Sequence, residues 1–263
     1  MDNDYTLGAP FADALTYAAT LHTTQTRKGT EGIGGVGSPA VPYIAHLMSV
    51  CALVIEHGGT QTQAIAALLH DAVEDQGGAA QLATIRARFG DDVAAIVAAC
   101  TDGDRTLDTN GNPLLTWHER KEAYVKHLPQ ETAEVLLVSA SDKRHNAQAI
   151  LDDLRAAKRL ADNEAATVAE HALWARFQPG RGDVLRYYEA IAAAYLSAPA
   201  TLTHPGLTRL VAEYAHTVAE LTKKRARTTF PRGVSSSEGA TLTQRHLPAH
   251  PTQASPCRRR GAS

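Results

Sequence analysis

The segment Ala66-Ala67-Leu68-Leu69-His70-Asp71-Ala72-Val73-Glu74-Asp75 runs from an apolar stretch straight into a histidine and three acids. Leu68 and Leu69 demand burial, so any fold around this segment must hide them and still satisfy the ionisable groups beside them. Acids held against a buried helix are costly unless paired, hydrogen-bonded or bound to a cation. Read as one helix from Gln61 to Asp75, the segment puts His70 beside Glu74 and Asp71 beside Asp75 on neighbouring turns. A divalent metal is the most economical partner for such a set.

The rest of the chain supplies the helices that such a segment needs around it. Apolar residues recur at spacings of three and four from Phe11 to Arg27, and further helices are predicted over Tyr43–His57, Leu82–Phe89, Asp91–Cys100 and Thr116–Leu128. Glu131–Ala157 reads as one long, bent helix, and His171–Phe177, Gly182–Leu196 and Pro205–Lys224 complete the set. Thr60 is placed to cap one helix, and Thr116 with Glu119 forms a capping box for another. No convincing alternating strand occurs, and aromatics make up only 5% of an alanine-rich chain, which favours close-packed helices. The expected fold class is therefore all-α: a single-domain helical bundle over residues 5–222.

Residues 223–263 read differently. From Thr222 onward the chain is Pro- and Ser-rich with a net charge of +8, so the remainder carries −10 within the overall −2. Such a tail is predicted to be disordered; its role is open, a solubilising tail or contact with nucleic acid or anionic lipid. The acidic body argues against a specific grip on nucleic acid. Three unpatterned cysteines, Cys51, Cys100 and Cys257, point to a reducing cytoplasm. No apolar run reaches the ~20 residues that a membrane span requires. Gly29–Val41 is glycine-rich but has neither the preceding strand nor the Gly-Lys-Ser/Thr of a phosphate loop, and reads as a loop or a lid.

Two more segments can complete a metal site. His46 lies in the apolar helix after Pro42, and Asp142 ends the apolar run Leu136-Leu137-Val138-Ser139-Ala140-Ser141. Each alone has an ordinary reading, His46 as a core residue and Asp142 as a partner of Lys143 or Arg144. Together His46, His70, Asp71 and Asp142 offer two imidazoles and two carboxylates, a set that suits manganese, zinc or iron(II) better than calcium. Glu74 and Asp75 stand where a base would take a proton from water. Arg27, Lys28, Lys143 and Arg144 are the counter-charges available to a phosphorylated substrate. His22, His145 and Trp117 are candidates for lining the pocket, with core and surface roles equally open.

The residues Gln25-Thr26-Arg27-Lys28, Pro42-Tyr43-Ile44-Ala45-His46, Ala67–Asp75 and Ser141-Asp142-Lys143-Arg144-His145-Asn146 follow one pattern, His…His-Asp-x-x-Glu-Asp…Asp-x-x-x-Asn. In this the chain resembles the HD-domain metal phosphohydrolases and, among them, the hydrolase domain of the RelA/SpoT alarmone enzymes, from about Phe11 to about Leu154. The resemblance implies removal of the 3′-pyrophosphate from guanosine 3′,5′-bis(diphosphate) (ppGpp) or its pentaphosphate relative, with manganese as the usual metal. It implies His46, His70, Asp71 and Asp142 as ligands and Glu74 and Asp75 as the groups acting on water. It further implies Arg27 at the purine, Lys28 near the phosphates and Asn146 at the ribose or 3′-phosphate. The chain departs from the family in the Gly29–Val41 insertion, in Arg144 where leucine is common and in Gln148 where arginine is common. Too few residues follow Asp142 for a synthetase domain, so a small, hydrolase-only member is expected. The alternative is the same metal site acting on a nucleoside monophosphate, a deoxynucleotide or the 2′-phosphate of NADPH.

Overall fold

The computed structural model describes residues 6–30, 40–101, 115–159 and 163–223. These lie in one unit, Met1–Thr228, while a second unit, Thr229–Ser263, is outside the described residues. Of the expected tail 223–263, Lys223 is helical, and residues 224–263, with Cys257, lie outside the described residues, as do residues 31–39 of the glycine-rich insertion.

Among the described residues the regular structure is helical: α1 (Ala9–Leu21), α2 (Ile44–Glu56), α3 (Gln61–Leu69), α4 (Ala72–Gln76), α5 (Gly78–Phe89), α6 (Asp91–Cys100), α7 (Trp117–His127), α8 (Ala133–Lys158), α9 (Asn163–Ala175), α10 (Gly180–Ser197), α11 (Pro199–Thr203) and α12 (Pro205–Lys223). A short 3-10 turn, Leu128–Gln130, leads into α8. The sequence-level caps are present: Gln63 Oε1 accepts from Thr60 N–H at 2.7 Å and Glu119 Oε2 from Thr116 N–H at 2.7 Å. Each satisfies a backbone donor that the first helical turn leaves orphaned.

The 26-residue α8 is the axis of the bundle. It packs against α2, α3, α6, α9 and α12, and Leu136, Leu137, Val138, Ala140, Leu151 and Leu154 are buried along it. Behind it lies a layer in which most of the tyrosines gather. Tyr188, Tyr195 and Tyr214 are buried, and Ser139 Oγ bonds both Tyr124 OH and Tyr195 OH at 2.6 Å. Gly206 lets α12 start against the end of α2: a Cβ there would sit 1.7 Å from the His57 carbonyl oxygen.

Two expectations change. The helix predicted over Gln61–Asp75 is broken: α3 ends at Leu69 and α4 begins at Ala72, with Asp71 at φ −94, ψ −3. His70 Nδ1 bonds the Ala67 carbonyl at 2.8 Å, taking up an acceptor of the last helical turn. Asp71 thus sits in the sparsely populated bridge region where active-site residues are often found. The helix predicted over Phe11–Arg27 ends at Leu21, and Thr26 beyond it pairs with Pro42, whereas the long helix expected over Glu131–Ala157 is present as α8. Helix α11, not anticipated, starts at Pro199, where a missing N–H costs nothing.

One β-bridge, Thr26 with Pro42, ties the two ends of the glycine-rich insertion together. Arg27 N–H donates to Val41 O at 2.9 Å and Tyr43 N–H to Gln25 O at 2.9 Å. Arg27 is therefore kept next to Tyr43 whatever the length of the chain between them. No helix among the described residues is long and apolar enough to cross a membrane. Cys51 and Cys100 are buried and unpaired.

Candidate metal centre

Three elements bring the centre together. Helix α2 presents His46, the α3–α4 junction presents His70 and Asp71, and the middle of α8 presents Asp142. His46, His70 and Asp142 are buried, and one ligand atom from each lies within 4.8 Å of the others. His46 Nε2 is 3.2 Å from Asp142 Oδ1 and 3.6 Å from Asp71 Oδ2; His70 Nε2 is 3.1 Å from Asp71 Oδ2 and 3.7 Å from Asp142 Oδ1.

These residues fit a divalent metal. Ligand atoms bonded at about 2.1 Å to a common ion lie about 3 Å or a little more from one another, the separations seen here. His70 Nε2 is buried without a hydrogen-bond partner, close to a carboxylate but poorly aligned with it. Its other ring nitrogen is committed to the Ala67 carbonyl, which orients a metal-ligating imidazole.

The charges show the same preparation. Burial works against ionised Asp71, but the His70 charge and the imidazoles of His46 and His70 beside it hold it well below the ordinary aspartate range. Asp142 is held low in the same way, against burial, chiefly by Lys143. Burial also opposes a charged His70, yet Asp71 and Asp142 raise it well above the usual imidazole value.

A second layer surrounds these groups. Tyr43 OH donates to Asp71 Oδ2 at 2.5 Å, and burial together with Asp71 raises the phenol far above its usual range. Asn146 Nδ2 donates to Asp142 Oδ1 at 2.5 Å, and Lys143 Nζ to Asp142 Oδ2 at 2.6 Å. Lys143 lies 5.2 Å from the Tyr124 ring. Asp75 Oδ2 accepts from Gln25 Nε2 at 2.7 Å, and Gln25 Oε1 in turn contacts His22 Nδ1 and accepts from Gln76. Loss of water and the Asp71 charge raise the Asp75 carboxyl above the ordinary aspartate value, although part of the residue faces solvent. His22 stacks on Tyr43, with ring centroids 5.4 Å apart.

The remaining expected site residues divide. Glu74, half-buried on α4, is one turn from His70. Arg27 reaches the centre through two residues: Nη1 is 3.0 Å from His145 Nδ1, and Nη2 donates to Asn146 Oδ1 at 3.2 Å. Lys28 is exposed and acts on Asp75 through its charge. Arg144 turns away, bonding Gln148 at 3.1 Å beside Glu213. Trp117 packs on Tyr187 instead.

Sequence reasoning left Tyr43, Gln25 and Lys121 without roles. Tyr43 and Gln25 lie inside the quoted motifs, so their position was a usable signal. Lys121, on the polar α7, gave none. Its ammonium lies 4.8 Å from the Tyr187 ring, and burial with the Lys143 charge pushes it down to about 7, against the pull of Asp142 and Asp71.

The HD domain family profile matches residues 14–178. A probable guanosine-3′,5′-bis(diphosphate) 3′-pyrophosphohydrolase of Synechocystis sp. is 30% identical over 134 residues, 51% of this chain but 16% of that protein. A probable GTP pyrophosphokinase of Mycobacterium leprae is 32% identical over 105 residues, 40% of this chain and 12% of that protein. The chain thus spans a small part of the length of these curated relatives. Among solved structures, a metazoan ortholog of SpoT, described as hydrolysing ppGpp and acting in starvation responses, aligns with a TM-score of 0.54 at 22% identity, covering 83% of this chain and 96% of that one. A Listeria monocytogenes protein aligns with a TM-score of 0.50 at 25% identity, covering 69% and 96%. The first of these likenesses is one of fold. With a helical bundle gathering two histidines and two aspartates from α2, the α3–α4 junction and α8, and with the profile matching most of its length, the chain belongs to the HD domain family.

Proposed function

We propose that this protein is a metal-dependent phosphohydrolase that removes the 3′-pyrophosphate from ppGpp or pppGpp, giving GDP or GTP and pyrophosphate, with manganese as its metal and the cytoplasm as its place of work. The observation that carries this reading is the convergence of His46, His70, Asp71 and Asp142 with Arg27 tied to the same cluster through His145 and Asn146. Curated relatives named for ppGpp hydrolysis and GTP pyrophosphokinase activity support the substrate. The catalytic domain is residues 5–222, and residues 223–263 form a basic tail outside it.

His46, His70, Asp71 and Asp142 would hold the metal, which supplies a Lewis acid for phosphoryl oxygens and lowers the pKa of water. The water oxygen adds to the phosphorus next to O3′ and the P–O3′ bond breaks; O3′ takes up the proton that water has given to the carboxylate and leaves as the 3′-hydroxyl of the product. Glu74 or Asp75 takes the water proton. Gln25 ties down one oxygen of Asp75 and leaves the other available. Arg27 meets the purine, Lys28 brings positive charge to the phosphates, and Asn146 meets the ribose or 3′-phosphate. Lys143 is fully engaged with Asp142, so its service to substrate is indirect.

One observation favours another nucleotide. Arg144 and Gln148 bond each other away from the metal cluster, so fewer cations face a tetraphosphate. The test is product release from ppGpp with manganese and with chelator, beside NADPH, deoxynucleotides and nucleoside monophosphates. Fast manganese-dependent release of pyrophosphate and GDP is expected, with Glu74→Gln and Asp75→Asn reducing kcat by about 10²–10⁴-fold in the manner of a lost base. Faster turnover of another nucleotide, or full activity in both variants, would refute the assignment.

A further inference from the structure

His145 has no part in the chemistry above, yet it is in direct contact with both Arg27 and His46. Its Nδ1 lies 3.0 Å from Arg27 Nη1 and 2.8 Å from His46 Nδ1. A guanidinium has donors only. His145 Nδ1 must therefore accept, and its proton resides on Nε2. His46 Nδ1 faces the same lone pair and must donate to it. A neutral His46 with its proton on Nδ1 has its free lone pair on Nε2, the atom that lies among the carboxylate oxygens of Asp142 and Asp71.

We infer that His145 is a positioning residue: held as an acceptor by Arg27, it fixes the tautomer and ring orientation of His46 so that Nε2 serves the metal. The two imidazoles of the centre are thus oriented by different devices. His70 uses a backbone carbonyl, Ala67 O, which no side-chain replacement removes. His46 uses a side-chain relay that ends at Arg27. The relay has a second arm, from Arg27 Nη2 to Asn146 Oδ1 and from Asn146 Nδ2 to Asp142 Oδ1. One guanidinium outside the cluster therefore governs the outer hydrogen bonds of a ligand on α2 and a ligand on α8. His145 also borders a groove of about 280 Å³ with Ser49, Ala52 and Leu53, so replacing it removes little core packing.

The inference rests on His46 being a metal ligand, and the experiment separates the two ideas. Manganese affinity is measured by calorimetry on the full chain for the wild type, His46→Ala, His145→Ala and His145→Asn. Asparagine Oδ1 falls near the position of histidine Nδ1 and can only accept. His145→Ala is expected to weaken manganese binding by about 10–100-fold, the usual effect of losing an outer-layer partner of a ligating histidine. His145→Asn should recover most of that loss. Long-range ¹⁵N spectra of the zinc-loaded wild type should place the His46 proton on Nδ1. Unchanged affinity in His145→Ala, no recovery in His145→Asn, or a His46 proton on Nε2 would overturn the inference. Wild-type affinity in His46→Ala would instead refute the metal reading beneath it.

Discussion

Lys143→Met removes the cation from a buried pair and leaves Asp142 in place. Lys143 Nζ is 2.6 Å from Asp142 Oδ2, with side-chain exposures of 14% and 7%. Breaking such a pair from one side costs about 3–5 kcal/mol, because the surviving charge stays buried without compensation. For a domain of this size each kcal/mol is worth about 2–4 °C, so the metal-free variant should melt about 6–20 °C below the wild type. Manganese should narrow that gap, since an ion beside Asp142 supplies the missing charge. It should also bind the variant more tightly than the wild type, because Lys143 both repels a cation and occupies an oxygen of its ligand. Thermal melts with chelator and with manganese, followed by calorimetric titration, read both effects. Equal melting temperatures in chelator, or weaker manganese binding by the variant, would refute this account of Lys143. A raised KM with stability unchanged would return Lys143 to the substrate.

The metal-free centre should respond to pH in two directions. His70, raised in the folded state, stabilises fully below about pH 6.5 and loses that contribution as pH rises through its folded value, whereas Asp71 and Asp142, lowered, stabilise above about pH 3.9 and lose it as pH falls. Manganese must displace the His70 proton, so its thermal stabilisation should be larger at pH 8 than at pH 6; equal gains at both would contradict the protonated His70. Ser139→Ala strands the hydroxyls of Tyr124 and Tyr195, which each lie 2.6 Å from Ser139 Oγ. At about 1–3 kcal/mol for each buried group left unsatisfied, urea unfolding should show a loss of about 2–6 kcal/mol with unchanged m, and a loss under about 1 kcal/mol would mean that the network relaxes.

The all-helical architecture and the four ligand candidates were legible because they rest on spacing. Apolar residues at three and four predict α2, α6, α10 and α12 nearly to their ends, and Asp142, which alone could be read as a partner of Lys143, stood out only in company with His46, His70 and Asp71. The break at His70–Asp71 was not legible. Periodicity continues smoothly through it, and the local competitor, His70 Nδ1 bonding the Ala67 carbonyl, involves an atom that no spacing rule tracks. The directions of Lys143 and Arg144 were hidden for a related reason. Adjacent basic residues on one helix point about 100° apart, and which faces the cluster depends on what packs there. For Lys143 that is Asp142 and the tyrosine layer; for Arg144 it is the groove toward α12. Lys121 was invisible because its depressed ammonium is a property of assembly: α7 is a polar helix until α8 and α10 fold around it.

The packing of α12 along α8 sets the smallest piece of this chain that can keep its chemistry. The family profile stops at residue 178, before α10 and α12, yet these helices carry Tyr195, Leu207, Leu210, Val211 and Tyr214 into the core. A protein cut at the profile boundary would expose the outer flank of the very helix that bears Asp142, Lys143, His145 and Asn146. The shared catalytic motif and the unit able to fold are therefore of different lengths. Truncation at residue 178 should yield an aggregating fragment even though every proposed ligand is still present, and transplanting this centre into another scaffold means carrying the last two long helices along with it.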